Sequence, residues 1–131
     1  MSDRILVVDD EELMQDLLRE MLTKSGFEVA VAGDAEAGLE QLRRESFAVV
    51  LLDVRLPDLD GLALVEGLRS EPATRDLPVI ALTAQAMAGD RERCLEAGAN
   101  EYLSKPISLK RLVKVIETQL NRNPTGKGGV G

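Results

Sequence analysis

Five short runs, "RILVV" (4–8), "EVAVA" (28–32), "AVVLL" (48–52), "PVIAL" (78–82) and "EYLSK" (101–105), recur along the 131 residues, each followed by a longer amphipathic segment. This alternation limits the possible folds more than any other feature. Most of the runs are continuous in Val, Ile, Leu and Ala instead of alternating apolar with polar, the pattern of strands covered on both faces. Strand then helix, five times over, implies an α/β fold: a parallel sheet with right-handed crossovers and helices on both faces. Periodicity leaves the order of the strands open.

The amphipathic segments predict helices over about 12–24, 35–45, 60–70, 86–97 and 108–121. In the first, Met14, Leu17, Leu18, Met21 and Leu22 mark one face, and Gly26 supplies the stop. Asp34 is placed to cap the second, whose Ala37, Leu39 and Leu42 face inward. The fifth opens at Ser108 and repeats Leu112, Val115, Ile116 and Leu120 at helical spacing, while Gly98 closes the fourth. Residues 1–122 therefore read as one domain, and "NPTGKGGVG" (123–131) lacks periodicity and reads as a flexible tail.

Composition removes several classes of function. With 23 acidic and 16 basic residues the net charge is −7, a poor match for phosphate backbones, so no direct nucleic-acid partner is expected. Two Phe, one Tyr and no Trp leave no platform for stacking bases. The absence of histidine and the single cysteine, Cys94, disfavour haem and zinc sites. The longest apolar stretch, "FAVVLL", is too short to cross a bilayer, so no membrane insertion is expected. The start "MSDRILVV" enters a strand directly rather than a secretory signal, and a cytoplasmic location is the expectation.

The chemistry should gather at the carboxyl ends of the strands, where open α/β sheets bind ligands. Those ends carry Asp9, Asp10 and Glu11 after the first strand, Asp53 after the third, Thr83 after the fourth and Lys105, then Pro106, at the fifth. If these strands are neighbours, Asp9, Asp10 and Asp53 converge. Two carboxylates ~5 Å apart repel by roughly 3 kcal/mol at an effective dielectric of about 20. Three together call for a counter-charge, and a hard, oxygen-seeking cation such as Mg²⁺ fits best. Thr83 adds a hydroxyl and Lys105 an ammonium, completing a set suited to handling a phosphoryl group, with Asp53 as its covalent acceptor. Read singly, each residue has a plainer role: Asp53 as a solvated strand end, Asp9 and Asp10 as negative charge at a helix N-terminus, Tyr102 as core packing.

In order and spacing, "ILVVDDEE", "VVLLDVRLPDLDG", "VIALTA" and "YLSKPI" resemble the receiver domains of two-component response regulators, over about residues 3 to 121. The stretch from Leu82 to Ser108 is especially similar to single-domain receivers and to those attached to hybrid sensor kinases. The resemblance implies a flavodoxin-like (βα)5 sheet of order 2-1-3-4-5. It implies Asp53 as phosphoacceptor, Asp10 as a direct Mg²⁺ ligand, Asp9 acting through water and the backbone carbonyl of Arg55 as a further ligand. Thr83 and Lys105 would hold phosphoryl oxygens, with the Lys105–Pro106 bond cis. Tyr102 matches the switch aromatic, and Arg55 and Gln85 occupy positions that tune phosphoryl lifetime. The implied partners are a histidine kinase or phosphotransfer protein and a downstream protein, reached through the fourth helix, fifth strand and fifth helix. Such a domain is expected to catalyse its own phosphorylation and dephosphorylation. Leu13, off the buried stripe beside the acid pair, would belong to the donor-docking surface.

Three rival functions share parts of this pattern. A haloacid-dehalogenase-like phosphatase also combines Asp, Thr and Lys with Mg²⁺, but it carries its nucleophile after the first strand in a D-x-D pattern, where this chain has "DDEE". A flavin- or nucleotide-binding module needs a phosphate-cradling loop at that same place. A phosphorylation-independent docking module of receiver fold would not need the complete residue set found here.

Overall fold

A computed structural model describes residues 3–54, 61–83, 89–104 and 107–122. The expected tail (123–131) lies outside the described residues. Strands and helices alternate as β1 (Arg4–Val8), α1 (Glu12–Lys24), β2 (Glu28–Ala32), α2 (Ala35–Arg44), β3 (Val49–Asp53), α3 (Gly61–Ser70), β4 (Val79–Thr83), α4 (Asp90–Ala97), β5 (Glu101–Ser104) and α5 (Leu109–Arg122). All strand pairs are parallel, and the sheet runs β2-β1-β3-β4-β5.

Continuous apolar runs are needed because neighbouring residues of one strand serve two different cores. Leu6, Val8, Val50 and Leu52 meet Ala35 of α2 and Leu64, Val65 and Leu68 of α3. Ile5, Val7, Val49 and Leu51 point the other way, against Leu18 and Leu22 of α1 and Leu112 and Ile116 of α5. Burying each Leu or Ile contributes about 1.5–3 kcal/mol, so α5 and α3 are firmly held. The apolar residues that α4 buries are small, Cys94 and Ala97.

The helix ends follow the sequence signals. Asp34 accepts a hydrogen bond from the Ala37 amide at 2.8 Å, and the Ser108 hydroxyl accepts one from the Arg111 amide at 3.0 Å. Gly98 ends α4 at φ +118°, a left-handed conformation that side chains rarely tolerate, with its own and the Ala99 amides returning to Leu95 and Cys94. Two expectations are corrected. β3 and β4 each begin and end one residue later than the apolar runs, because Asp53 and Thr83 remain in the ladder, in register with Leu82 and Ser104. Leu17 is 49% exposed: the buried row of α1 steps by four through Met14, Leu18 and Leu22, which turns Leu17 outward with Leu13. Helix α4 is described from Asp90, with Gly89 as its cap, and residues 86–88 of the helix expected over 86–97 lie outside the described residues.

Candidate functional site

From β1 the chain moves to β2 on one side, then crosses back to add β3, β4 and β5 on the other. The reversal opens a crevice at the carboxyl ends of β1 and β3, where an open α/β sheet binds its ligands. Asp9 and Asp10 follow β1, and Asp53 is the last residue of β3. One carboxylate oxygen from each lies within 4.8 Å of the others.

The three acids are held differently. Asp9 is almost fully buried, its amide bonded to the Ala32 carbonyl at 3.0 Å and its Oδ1 accepting the Glu11 amide at 2.9 Å. Its carbonyl also accepts the Gln15 side-chain amide at 2.5 Å. Asp9 therefore helps to start α1 as well as to build the cluster, and its plainer role proves compatible with the sharper one. Asp10 is open to solvent, and Asp53 is 9% exposed. Two buried carboxylates and one reachable from outside form a cup of hard oxygen donors. By donor type and spacing, that set fits a divalent cation such as Mg²⁺.

Thr83 ends β4 and is 2% exposed. Tyr102, on β5 in register with Ala81, is buried in a small cluster with Ala81, Cys94 and Ala99, against which Val54 and Leu62 pack. Arg55, Gln85, Lys105 and Pro106 lie outside the described residues. Leu13 is 77% exposed on α1, near the acid cluster in sequence.

Two positioning features escaped the sequence reading. Gly61, the first residue of α3, donates its amide to the Val54 carbonyl at 2.8 Å and lies so close to β3 that a Cβ would stand 2.7 Å from the Asp53 carbonyl oxygen. Its place in "LDG" was visible, but the contact that requires glycine was not. Arg69 of α3 reaches the carbonyls of Thr74, Arg75 and Gly98 and the Asn100 side chain. Burial draws its pKa below the ordinary guanidinium value, an effect opposed by nearby Asp76, and it remains cationic at neutral pH. No periodicity or motif marked it. Among the described residues, no helix is long and apolar enough to cross a membrane.

Comparison with known proteins agrees with this geometry. The family model of the response regulator receiver domain matches residues 5–117. The polar-differentiation response regulator DivK of Brucella ovis is 35% identical over 120 residues, spanning 92% of this chain and 98% of that protein. The solved response regulator receiver domain protein (CheY-like) of Methanospirillum hungatei JF-1 superimposes with a TM-score of 0.87 at 31% identity, covering 95% of this chain and 98% of that one. A receiver domain protein from Clostridium thermocellum gives 0.86 at 29% identity, with coverage of 93% and 97%. The family match spans all three acids, Thr83 and Tyr102, so the likeness covers the site as well as the scaffold: the chain belongs to the response regulator receiver domains of two-component signalling.

Proposed function

We propose that Asp53 accepts a phosphoryl group from the phosphohistidine of a histidine kinase or phosphotransfer protein, and that the chain signals by the resulting change in shape. The observation that carries this reading is the convergence of Asp9, Asp10 and Asp53 within 4.8 Å at the switch point of the sheet. An Asp53 carboxylate oxygen attacks phosphorus, the P–N bond breaks, and the imidazole leaves with the bonding pair. When bound, Mg²⁺ would offset the carboxylate charges and stabilise the phosphoryl oxygens, with Asp10, Asp53 and the Arg55 carbonyl as ligands and Asp9 acting through water.

The protein's own groups do the remaining work. Burial and the β3 ladder hold Asp53 at a fixed edge, which lowers the entropy cost of the attack. The Thr83 hydroxyl and the Lys105 ammonium donate to the phosphoryl oxygens as charge develops on them. Arg55 and Gln85, at the positions that tune phosphoryl lifetime in the family, would set how long the acyl phosphate lasts. The same groups let the domain promote both its phosphorylation and its dephosphorylation. As Thr83 moves toward the phosphoryl group, Tyr102 packs into the space behind it, and α4, β5 and α5 present a changed surface to a downstream protein. A cytoplasmic location accompanies this reading.

The test is incubation with acetyl phosphate, with and without Mg²⁺, followed by intact mass. The expected result is a Mg²⁺-dependent, base-labile gain of one phosphoryl group that Asp53→Asn abolishes. A folded chain that binds Mg²⁺ yet takes no phosphoryl group from acetyl phosphate or from a phosphohistidine donor would overturn the proposal.

A further inference from the structure

The turn that joins β1 to α1 is closed by a circuit of three hydrogen bonds. The Glu11 amide donates to Asp9 Oδ1 at 2.9 Å, and the Gln15 backbone amide donates to the Glu11 carbonyl at 3.0 Å. Gln15 Nε2 then donates to the Asp9 carbonyl at 2.5 Å and completes the circuit. Asp10 lies inside it. The peptide before Asp10 is held through the Asp9 carbonyl, and the peptide after it through the Glu11 N–H, so its backbone is gripped on both sides although its side chain is open to solvent. Asp9 is in turn tied to the sheet by its amide bond to the Ala32 carbonyl at 3.0 Å.

Gln15 is half-buried in α1, and its side-chain amide is backed by the turn after β2: a Cβ on Gly33 would stand 3.8 Å from Nε2. The link matters because Asp9, Asp10 and Asp53 bring like charges within 4.8 Å of one another, and the exposed Asp10 is the member that repulsion can push outward. A carboxamide restrains the Asp9–Asp10 peptide without adding a positive charge that would compete with a cation in the cup. An aspartate has only two side-chain torsions, so its peptide planes largely set where its carboxylate reaches. Mg²⁺ demands near-ideal octahedral geometry with oxygens at about 2.0–2.1 Å, whereas Ca²⁺ accepts longer and looser arrangements. A gripped Asp10 therefore favours the smaller ion.

We propose that Gln15 is a positioning residue that sets the acid cup for Mg²⁺ over Ca²⁺, by fixing the peptide between Asp9 and Asp10. This rests on the Mg²⁺ site of the reading above and concerns which cation that site prefers. Gln15 touches none of the reacting atoms.

Isothermal titration calorimetry of the full chain with MgCl₂ and, separately, CaCl₂ at constant ionic strength tests the idea. Gln15→Met keeps the length of the side chain and loses its N–H donors. It should weaken Mg²⁺ binding about three- to tenfold and change Ca²⁺ binding by less than about twofold. Gln15→Glu keeps the shape but brings a carboxylate that cannot donate. Its added charge draws both divalent ions alike, so the ratio of the two Kd values should still shift toward Ca²⁺ by about three- to tenfold. Without metal, the Glu11 amide should exchange at least about threefold faster in both variants. Equal weakening of both ions, or an unchanged ratio, would reduce Gln15 to a structural residue and overturn the proposal. So would variants in which the Glu11 amide stays as protected as in the natural chain. A natural chain that binds no Mg²⁺ would instead sink the metal reading, and Gln15's role with it.

Discussion

Gly61 and Gly67 both lie in α3, yet replacing them with alanine should have opposite effects. At Gly61 the added Cβ would meet the Asp53 carbonyl oxygen at 2.7 Å, Val54 Cα at 2.8 Å and the Val54 carbonyl oxygen at 2.9 Å. All three are backbone atoms, so no side chain can rotate away, and either α3 or the end of β3 must move. Overpacking of this kind costs about 1–3 kcal/mol. Straining the 2.8 Å bond from the Gly61 amide to Val54 adds up to about 1 kcal/mol. Helix propensity returns little at a first position, so Gly61→Ala should lose about 2–4 kcal/mol in all. Gly67 is exposed inside the same helix, with nothing within 4 Å of its Cβ position. Gly67→Ala should therefore gain about 0.5–1 kcal/mol. Urea unfolding followed by circular dichroism, in chelator, reads both changes. Because the Asp53 carbonyl is among the displaced atoms, Gly61→Ala should also slow acetyl phosphate labelling at least about tenfold, and Gly67→Ala should leave it within about twofold. A Gly61→Ala protein within about 0.5 kcal/mol of the natural one, or shifted in the same direction as Gly67→Ala, would refute the claim that this contact fixes the site.

Asp53→Asn removes one of two buried like charges; a pair 4.8 Å apart repels by roughly 3.5 kcal/mol at an effective dielectric of about 20. Allowing for solvent and hydrogen bonding, the variant should unfold about 1–2 kcal/mol harder than the natural chain in chelator, measured by urea titration. Mg²⁺ at ten times its Kd should stabilise the natural chain by about 1.4 kcal/mol, and Asp10→Asn should abolish most of that gain in a thermal-shift titration reversed by EDTA. Asp34→Ala should cost about 1 kcal/mol by deleting the 2.8 Å cap on Ala37, with labelling of Asp53 unchanged. Leu13→Ser, at a side chain 77% exposed, should alter stability by less than about 0.5 kcal/mol. It should slow transfer from a phosphohistidine protein while sparing transfer from acetyl phosphate, and equal effects on both donors would remove Leu13 from the docking surface.

Hydrophobicity ends a strand at its first polar residue, whereas a ladder ends where the backbone stops pairing. This difference accounts for the one-residue shift of β3 and β4: Asp53 and Thr83 look like loop residues in the sequence, yet each sits in a rung of the sheet. Placing them there matters for the chemistry, because a rung fixes a side chain more tightly than a loop does. The helix faces were legible where the apolar row was unambiguous, as with Leu112 and Ile116 on α5. In α1 two candidate rows overlapped, and only packing against the sheet decided that Leu18 goes in and Leu17 stays out. Arg69 shows the other limit: its partners are mostly backbone carbonyls, and a carbonyl has the same identity at every position of a sequence.

Sheet order is what turns scattered acids into a site. Periodicity supplies five strands but no neighbours, and with β1 and β3 apart Asp9 and Asp53 would never meet. The order β2-β1-β3-β4-β5 brings them together at the carboxyl edge, where the crevice between β1 and β3 opens. Charge repulsion opposes that meeting, so folding must overcome it with apolar burial, and the strands beneath the acids are correspondingly complete: Ile5, Leu6 and Val7 on β1 and Val49 and Leu51 on β3 have no exposed surface at all. The continuous apolar runs and the acids that end them are thus two halves of one arrangement. A sheet buried on both faces supplies the stability that lets three carboxylates stand together, as the proposed phosphoryl transfer requires.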